Sequence, residues 1–261
     1  MIVQAPAKVN LVLRVGPRRA DGYHRLATLF AALDLHDELT IEPAAETLVE
    51  GFPDTLVTRA LELLGETRRV TIAKRIPAAA GLGGGSSDAA AVLRALAGDR
   101  EVAELYAIAR ELGSDVPFFL SGLEVALATG RGDLLTPLPD FPRRCYALVL
   151  VPAAEGLPTA EVYAASEPNP LFEAVRGDLV RGVHTARDAA GVAALVANDL
   201  EPVALRLRPE LGEVLDELRG RGALAAAVSG SGPTVFGVVA DRAAAERLAA
   251  EIPGALAASP L

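Results

Sequence analysis

The decapeptide Gly81-Leu82-Gly83-Gly84-Gly85-Ser86-Ser87-Asp88-Ala89-Ala90 restricts the fold more than any other stretch of the chain. It follows a strand-like run, Val70 to Ile76, and opens an Ala-Val-Leu sequence of helical character, so it marks a strand-to-helix junction. Glycine reaches positive φ without penalty and lets backbone N–H groups approach a ligand closely, while the helix N-terminus that follows favours negative charge. The hydroxyls of Ser86 and Ser87 add donors or metal ligands. Phosphate is the group such a junction suits. A flexible turn with Ser or Asp as helix cap is the plainer alternative, and it does not explain four glycines in five positions.

Two familiar phosphate loops do not fit. A Walker A loop ends in Gly-Lys-Ser/Thr, and here Gly85-Ser86-Ser87 supplies no lysine. A Rossmann fingerprint needs a third glycine where Ser86 stands and an acidic residue closing a strand about 20 residues later, whereas Asp99 lies in a helical stretch.

The order of the remaining elements places this junction in an α+β chain. Alternation over residues 2 to 15 predicts a half-buried strand whose polar face carries Lys8 and Asn10 side by side. Strands are expected at 23–30, 38–42, 70–76, 123–129, 146–151, 223–229 and 234–239, and helices at 55–64, 86–97, 100–112, 159–166, 192–207, 210–219 and 242–251. Strands come in neighbouring pairs with helices between them, which suits α+β better than a doubly wound sheet. Pro137 to Pro142, with three prolines in six residues, reads as a linker, so two domains are expected, 1–140 and 141–261.

Composition narrows the function. A net charge of −9 argues against a general affinity for nucleic acid. No run of about 18 apolar residues and no signal-type start is present, so the expected location is cytoplasmic, without membrane attachment. Cys145 is the single cysteine, which excludes an internal disulfide and a cysteine-rich zinc site; it reads as core. With only His24, His36 and His184, a metal is better held by oxygen ligands and phosphates, as magnesium is. Of 25 basic residues only Lys8 and Lys74 are lysines, which suggests that a compact ammonium matters at both. A nucleophilic hydrolase finds no support, since the Gly-x-Ser-x-Gly elbow is missing.

Three segments together resemble the GHMP kinase superfamily of galactokinase, homoserine, mevalonate and phosphomevalonate kinases: Pro6 to Leu11, Pro77 to Ala90, and Ser229 to Phe236. Within it, Ala20 to His24, Leu82 to Asp88 and Gly113 to Phe118 are similar to the branch that phosphorylates a cytidine diphosphate-linked methylerythritol. Pro158 to Tyr163 and Asn198 to Glu201 extend the likeness into the second half. The resemblance implies a two-domain kinase fold with its active site in the cleft between the domains, and transfer of the γ-phosphoryl group of ATP to the substrate's 2-hydroxyl in the non-mevalonate route to isoprenoid precursors.

By the same resemblance, Asp115 is the catalytic base and Lys8 the lysine beside it. The nucleotide loop is Pro77, Ala78, Ala79, Ala80, Gly81, Leu82, Gly83, Gly84, Gly85, Ser86 and Ser87, with Ser87, or its neighbour Ser86, reaching a magnesium ion. Tyr23 and Tyr163 would sandwich the cytosine and His24 would read its edge. Asn10 and Thr159 would contact the erythritol or diphosphate. Lys74 either supports the phosphates or lies on the surface. The substrate is a small molecule, and no protein partner is implied. A different superfamily kinase, lacking the Tyr23-His24 pair, and a silent nucleotide-binding module are the rival readings.

Overall fold

The strand-to-helix junction is present in the computed structural model, which describes residues 1–153 and 155–261. The order begins β1 (Ile2–Arg18), β2 (His24–Pro43), β3 (Leu48–Glu50), α1 (Thr55–Leu64), β4 (Arg68–Ala73), α2 (Gly84–Ala95), α3 (Val102–Leu112) and α4 (Val116–Ser121). It continues with β5 (Val125–Gly130), β6 (Leu134–Pro137), β7 (Ala147–Val151), α5 (Thr159–Ala164), α6 (Phe172–Thr185), α7 (Ala189–Ala193) and β8 (Ala197–Asn198). The last elements are α8 (Glu201–Leu207), α9 (Glu210–Gly220), β9 (Ala225–Val228), β10 (Val235–Val239), α10 (Arg242–Glu251) and β11 (Leu256–Ala258). The α+β reading holds.

The chain divides into two units, each built from separate segments. The first comprises Met1–Lys8, Leu35–Ala78 and Gly83–Leu123. Here the end of β2 pairs antiparallel with β4, Glu38 opposite Ala73 through Pro43 opposite Arg68, and β3 adds to β4 in parallel. Helix α1 shows why such a segment folds as it does. Asp54 caps it by accepting the Leu56 and Val57 N–H groups, Gly65 stops it at φ 65°, and Val57, Ala60, Leu61 and Leu64 form one buried face at helical spacing. Helix α2 is buried from Ser87 through Leu93, because small alanines let it pack closely against α1 and α4.

The second unit comprises Val9–Asp34, Ala79–Leu82 and Glu124–Leu261. The start of β2 pairs antiparallel with β5, which turns back into β6. The end of β1 pairs with β8 in parallel, Val12 opposite Ala197 and Leu13 opposite Asn198. A four-stranded antiparallel sheet runs β11-β7-β10-β9. Its core joins Val149, Val228 and Val235 to Val203, Leu211, Leu215 and Leu218 from the helices.

Three local expectations are corrected. The strands expected at 23–30 and 38–42 are one continuous strand, β2. The helix expected over 192–207 is split into α7, β8 and α8, because Asn198 and Asp199 use their side chains on backbone groups elsewhere. Cys145 is exposed rather than core, since it ends a short 3-10 turn, Arg143–Cys145, ahead of the buried strand. Among the described residues no helix is long and apolar enough to cross a membrane.

Candidate functional site

The glycine loop is a turn whose alternate positions 79, 81 and 83 favour small residues. Ala79, Gly81 and Gly83 all have positive φ, at 51°, 78° and 73°. A Cβ on Gly81 would lie 2.6 Å from Ser229 O and 2.8 Å from Gly232 O, both rigid backbone atoms. On Gly83 it would lie 2.9 Å from the Phe119 ring and 3.1 Å from Lys8 Cγ. Gly83 is also the N-cap of α2 and has no side chain with which to cap it, so the first-turn amides of this 12-residue helix have no side-chain cap. Positive φ at alternate residues ahead of an uncapped helix N-terminus is an arrangement suited to an anion.

The two serines that follow differ. Ser87 is buried, and among the described residues its Oγ has no hydrogen-bond partner, whereas Ser86 is partly exposed. Next along α2, Asp88 Oδ2 lies 2.7 Å from Lys74 Nζ, whose other flank is Asp37 Oδ2, also at 2.7 Å. Both carboxylates are fully buried. Asp37 Oδ1 in turn accepts the N–H groups of Arg75 and Ile76, so one carboxylate fixes the chain leading into the loop. Burial pushes Asp88 up to about 7; Lys74 opposes this, while the Asp37 and Asp54 charges act with it. Burial acts to lower Lys74, but hydrogen bonds and charge from Asp37 and Asp88 outweigh it and hold the ammonium above its ordinary range. Lys74 is therefore largely buried rather than a surface residue, and it ties β2, the segment after β4, and α2 together.

Lys8 and Asp115 are brought together. Lys8 Nζ lies 3.3 Å from Asp115 Oδ2, with the lysine side chain 5% exposed and the aspartate 28% exposed. Asp115 stands at the N-cap position of α4, and its backbone oxygen accepts the Phe118 and Phe119 N–H groups. Its carboxylate makes no capping bond and turns to Lys8 instead. The common structural use of such an aspartate is thus not the one made of it.

In the second unit, Asn10, Thr159 and the loop apex converge on the Ser229–Thr234 turn. Ser229 Oγ accepts the Asn10 N–H at 3.3 Å and donates to Gly81 O at 3.2 Å. The Thr234 N–H donates to Ala80 O, and Ser231 Oγ lies 2.9 Å from Thr159 Oγ1. The Asn10 amide donates to Thr28 Oγ1. His24 is buried; its Nδ1 is 2.9 Å from Gly16 O, and Arg18 Nε donates to its Nε2 at 3.2 Å. Tyr163 packs beside the His24 ring, with centroids 6.1 Å apart and planes inclined by 34°. Tyr23 is 53% exposed, and the Arg131 guanidinium stands 5.3 Å from its ring centre. Ser229, Ser231, Arg18 and Arg131 were not singled out from sequence. The serines lie in the Ser229 to Phe236 segment that carries the family resemblance, which gives neither a role of its own, and nothing local distinguishes the two arginines among so many.

Comparison with known proteins places the chain in a lineage. The family model "GHMP kinases N terminal domain" matches residues 55–123, and "GHMP kinases C terminal" matches 176–258. The 4-diphosphocytidyl-2-C-methyl-D-erythritol kinase of Nocardioides sp. is 41% identical over 97% of this chain and 93% of its own length. That of Pelotomaculum thermopropionicum is 44% identical, covering 94% and 91%. A crystal structure of 4-(cytidine 5'-diphospho)-2C-methyl-D-erythritol kinase superposes with TM-score 0.78 at 40% identity, covering 99% of this chain and 98% of that one. A homoserine kinase structure from Cytophaga hutchinsonii, 20% identical with TM-score 0.71, shares the fold.

Proposed function

The chain belongs to the 4-diphosphocytidyl-2-C-methyl-D-erythritol kinase family of the GHMP kinases, and from that premise we propose that it transfers the γ-phosphoryl group of ATP to the 2-hydroxyl of that cytidine diphosphate-linked substrate, in the cytoplasm and on the non-mevalonate route to isoprenoid precursors. The observation that carries the residue assignment is the Lys8–Asp115 pair, with a carboxylate that forgoes its helix cap. Asp115 takes the proton of the 2-hydroxyl as its oxygen bonds to the γ-phosphorus and the bond from that phosphorus to ADP breaks. Lys8, 3.3 Å from Asp115 Oδ2, holds that carboxylate in place and orients the acceptor alcohol. Residues 77–87 hold the ATP phosphates through loop amides and the N-terminus of α2. We assign 1–140 as the ATP-binding domain and 141–261 as the C-terminal domain on the strength of separate family models for 55–123 and 176–258; the compact units cross this boundary, with Val9–Asp34 and 124–140 grouped with the second.

His24 supports cytosine as the base. Arginine only donates, so Nε2 of His24 is an acceptor and Nδ1–H donates to Gly16 O. An acceptor at the base edge reads an amino group. Tyr163, beside it, and Tyr23 are assigned the faces of the base, and Asn10 and Thr159 the erythritol or diphosphate. Magnesium fits the chain as an ion held mainly by phosphates. No group of three His, Cys, Asp or Glu that could hold a metal occurs among the described residues, and the orphaned Ser87 hydroxyl is the ligand we assign. Magnesium would neutralise charge on the transferring phosphoryl group.

A coupled ADP-release assay on Asp115→Asn tests the reading. Loss of the base lowers kcat about 10²–10⁴-fold with KM for both substrates nearly kept. A variant as fast as wild type removes Asp115 from the mechanism. In the same assay Ser87→Ala raises the magnesium concentration needed for half-maximal rate, and an unchanged requirement removes Ser87 as a ligand.

A further inference from the structure

Asn198 stands where the sequence pattern expects the middle of a helix, and its side chain explains why there is none. Its amide donates to Val228 O at 2.7 Å and to Gly230 O at 2.8 Å, the carbonyls on either side of Ser229. Its Oδ1 accepts the Leu200 N–H at 2.8 Å. Three residues on, Glu201 Oε2 accepts the Val228 N–H at 2.9 Å. The residue before Ser229 is thus held at both its N–H and its C=O by one short segment.

That segment is itself fixed to β1. Asn198 is in register with Leu13, the Asp199 N–H donates to Leu13 O, and the Asp199 carboxylate accepts the Val15 N–H and pairs with Arg14. Ser229, so placed, has Oγ between the Asn10 N–H and Gly81 O, and the Thr234 N–H bonds Ala80 O. The clearance at this contact is too small for a methyl group, because a Cβ on Gly81 would meet Ser229 O at 2.6 Å. A displaced turn therefore displaces the loop apex.

We propose that Asn198 is a positioning residue for the nucleotide: it carries the register of β1 to the Ser229–Thr234 turn, and the turn holds Ala80–Gly81 in the shape that receives the ATP phosphates. The inference rests on the assignment of residues 77–87 to ATP. Asn198 touches no reacting atom. Its action is through two donated hydrogen bonds rather than through volume, so the isosteric Asn198→Asp, which sets a carboxylate against two carbonyls, is the discriminating change.

The experiment compares wild type, Asn198→Asp, Asn198→Ala and Val203→Ala, the last a core change on α8 that reports the effect of destabilisation alone. KM for ATP, kcat at saturating ATP, and hydrogen exchange of the Thr234 amide are measured on the full chain. Asn198→Asp is expected to raise KM for ATP at least tenfold with kcat within threefold, and to speed Thr234 exchange at least tenfold. Val203→Ala moves neither. Should Asn198→Asp fail to fold, Asn198→Ala is expected to show the same pattern, with each effect several-fold. Wild-type KM and Thr234 exchange in the Asn198 variants overturn the proposal, as does an equal effect from Val203→Ala. A wild-type protein that does not consume ATP with the cytidine substrate overturns the functional reading instead, and Thr234 exchange then still reports whether Asn198 anchors the turn.

Discussion

His24 has one ring lone pair to offer, and the Arg18 guanidinium takes it. A cytosine amino group must compete for the same acceptor, so binding exchanges one hydrogen bond for another and gains little at that atom. Arg18 is otherwise on an exposed stretch, and removing it leaves the Gly16 bond that fixes the tautomer intact. Arg18→Ala is therefore expected to lower KM for the cytidine substrate about 2–5-fold, equivalent to roughly 0.5–1 kcal/mol for a net hydrogen bond, with kcat unchanged. Steady-state kinetics decide it. A rise in KM would mean that Arg18 binds the substrate itself, most simply its diphosphate, and that the bond to His24 does not limit base recognition.

At the scale of the element, the phosphate loop and its helix were legible because their constraints are local. Positive φ at 81 and 83 needs glycine, and the absent side-chain cap on α2 follows from a glycine at that position. The two glycines that flank Leu82 and Gly83 should nonetheless differ in tolerance. Gly81→Ala meets rigid carbonyl oxygens at 2.6 and 2.8 Å and adopts an unfavourable φ, whereas Gly84 has no positive φ and a Cβ there meets side-chain atoms, the Lys74 ammonium at 2.9 Å being the nearest. We expect Gly81→Ala to cost at least about 1 kcal/mol of stability and to raise KM for ATP more than tenfold, and Gly84→Ala to do markedly less of each. Thermal melts with ATP titration check this, and equal effects would refute the docking of the loop apex on the turn. What was illegible was non-local. Asp37 lies 37 residues before Lys74 in sequence and Asp88 lies 14 beyond it, with no periodicity to connect them, so the sequence leaves Lys74 between phosphate support and the surface and does not show the buried bridge. Asn198 hid within a helical pattern for the same reason, since its partners lie about 30 residues on.

For the molecule as a whole, the buried Lys74 bridge makes stability depend on pH in a direction opposite to that of most acidic side chains. The Asp88 carboxyl is raised from an ordinary aspartate value to about 7, chiefly by burial. Below about pH 4 it is protonated both folded and unfolded and contributes nothing to the pH dependence. Between about 4 and 7 the folded chain keeps a proton that the unfolded chain releases, so stability falls as pH rises through this window, and above 7 the whole loss is present. Lys74, held above its ordinary value, stays charged throughout and does not add to the slope. The formal charge of −9 also makes acidification favourable by easing self-repulsion, but wild type and variant share that effect. The difference between wild type and Asp88→Asn therefore isolates the carboxyl. Relative to the variant, wild type is expected to lose about 1–3 kcal/mol between pH 5 and pH 8, several degrees of melting temperature for a chain of this size. Melting curves at half-unit intervals measure it. Parallel curves for the two proteins would show that Asp88 is ionised across the range and that Lys74 fully compensates its burial.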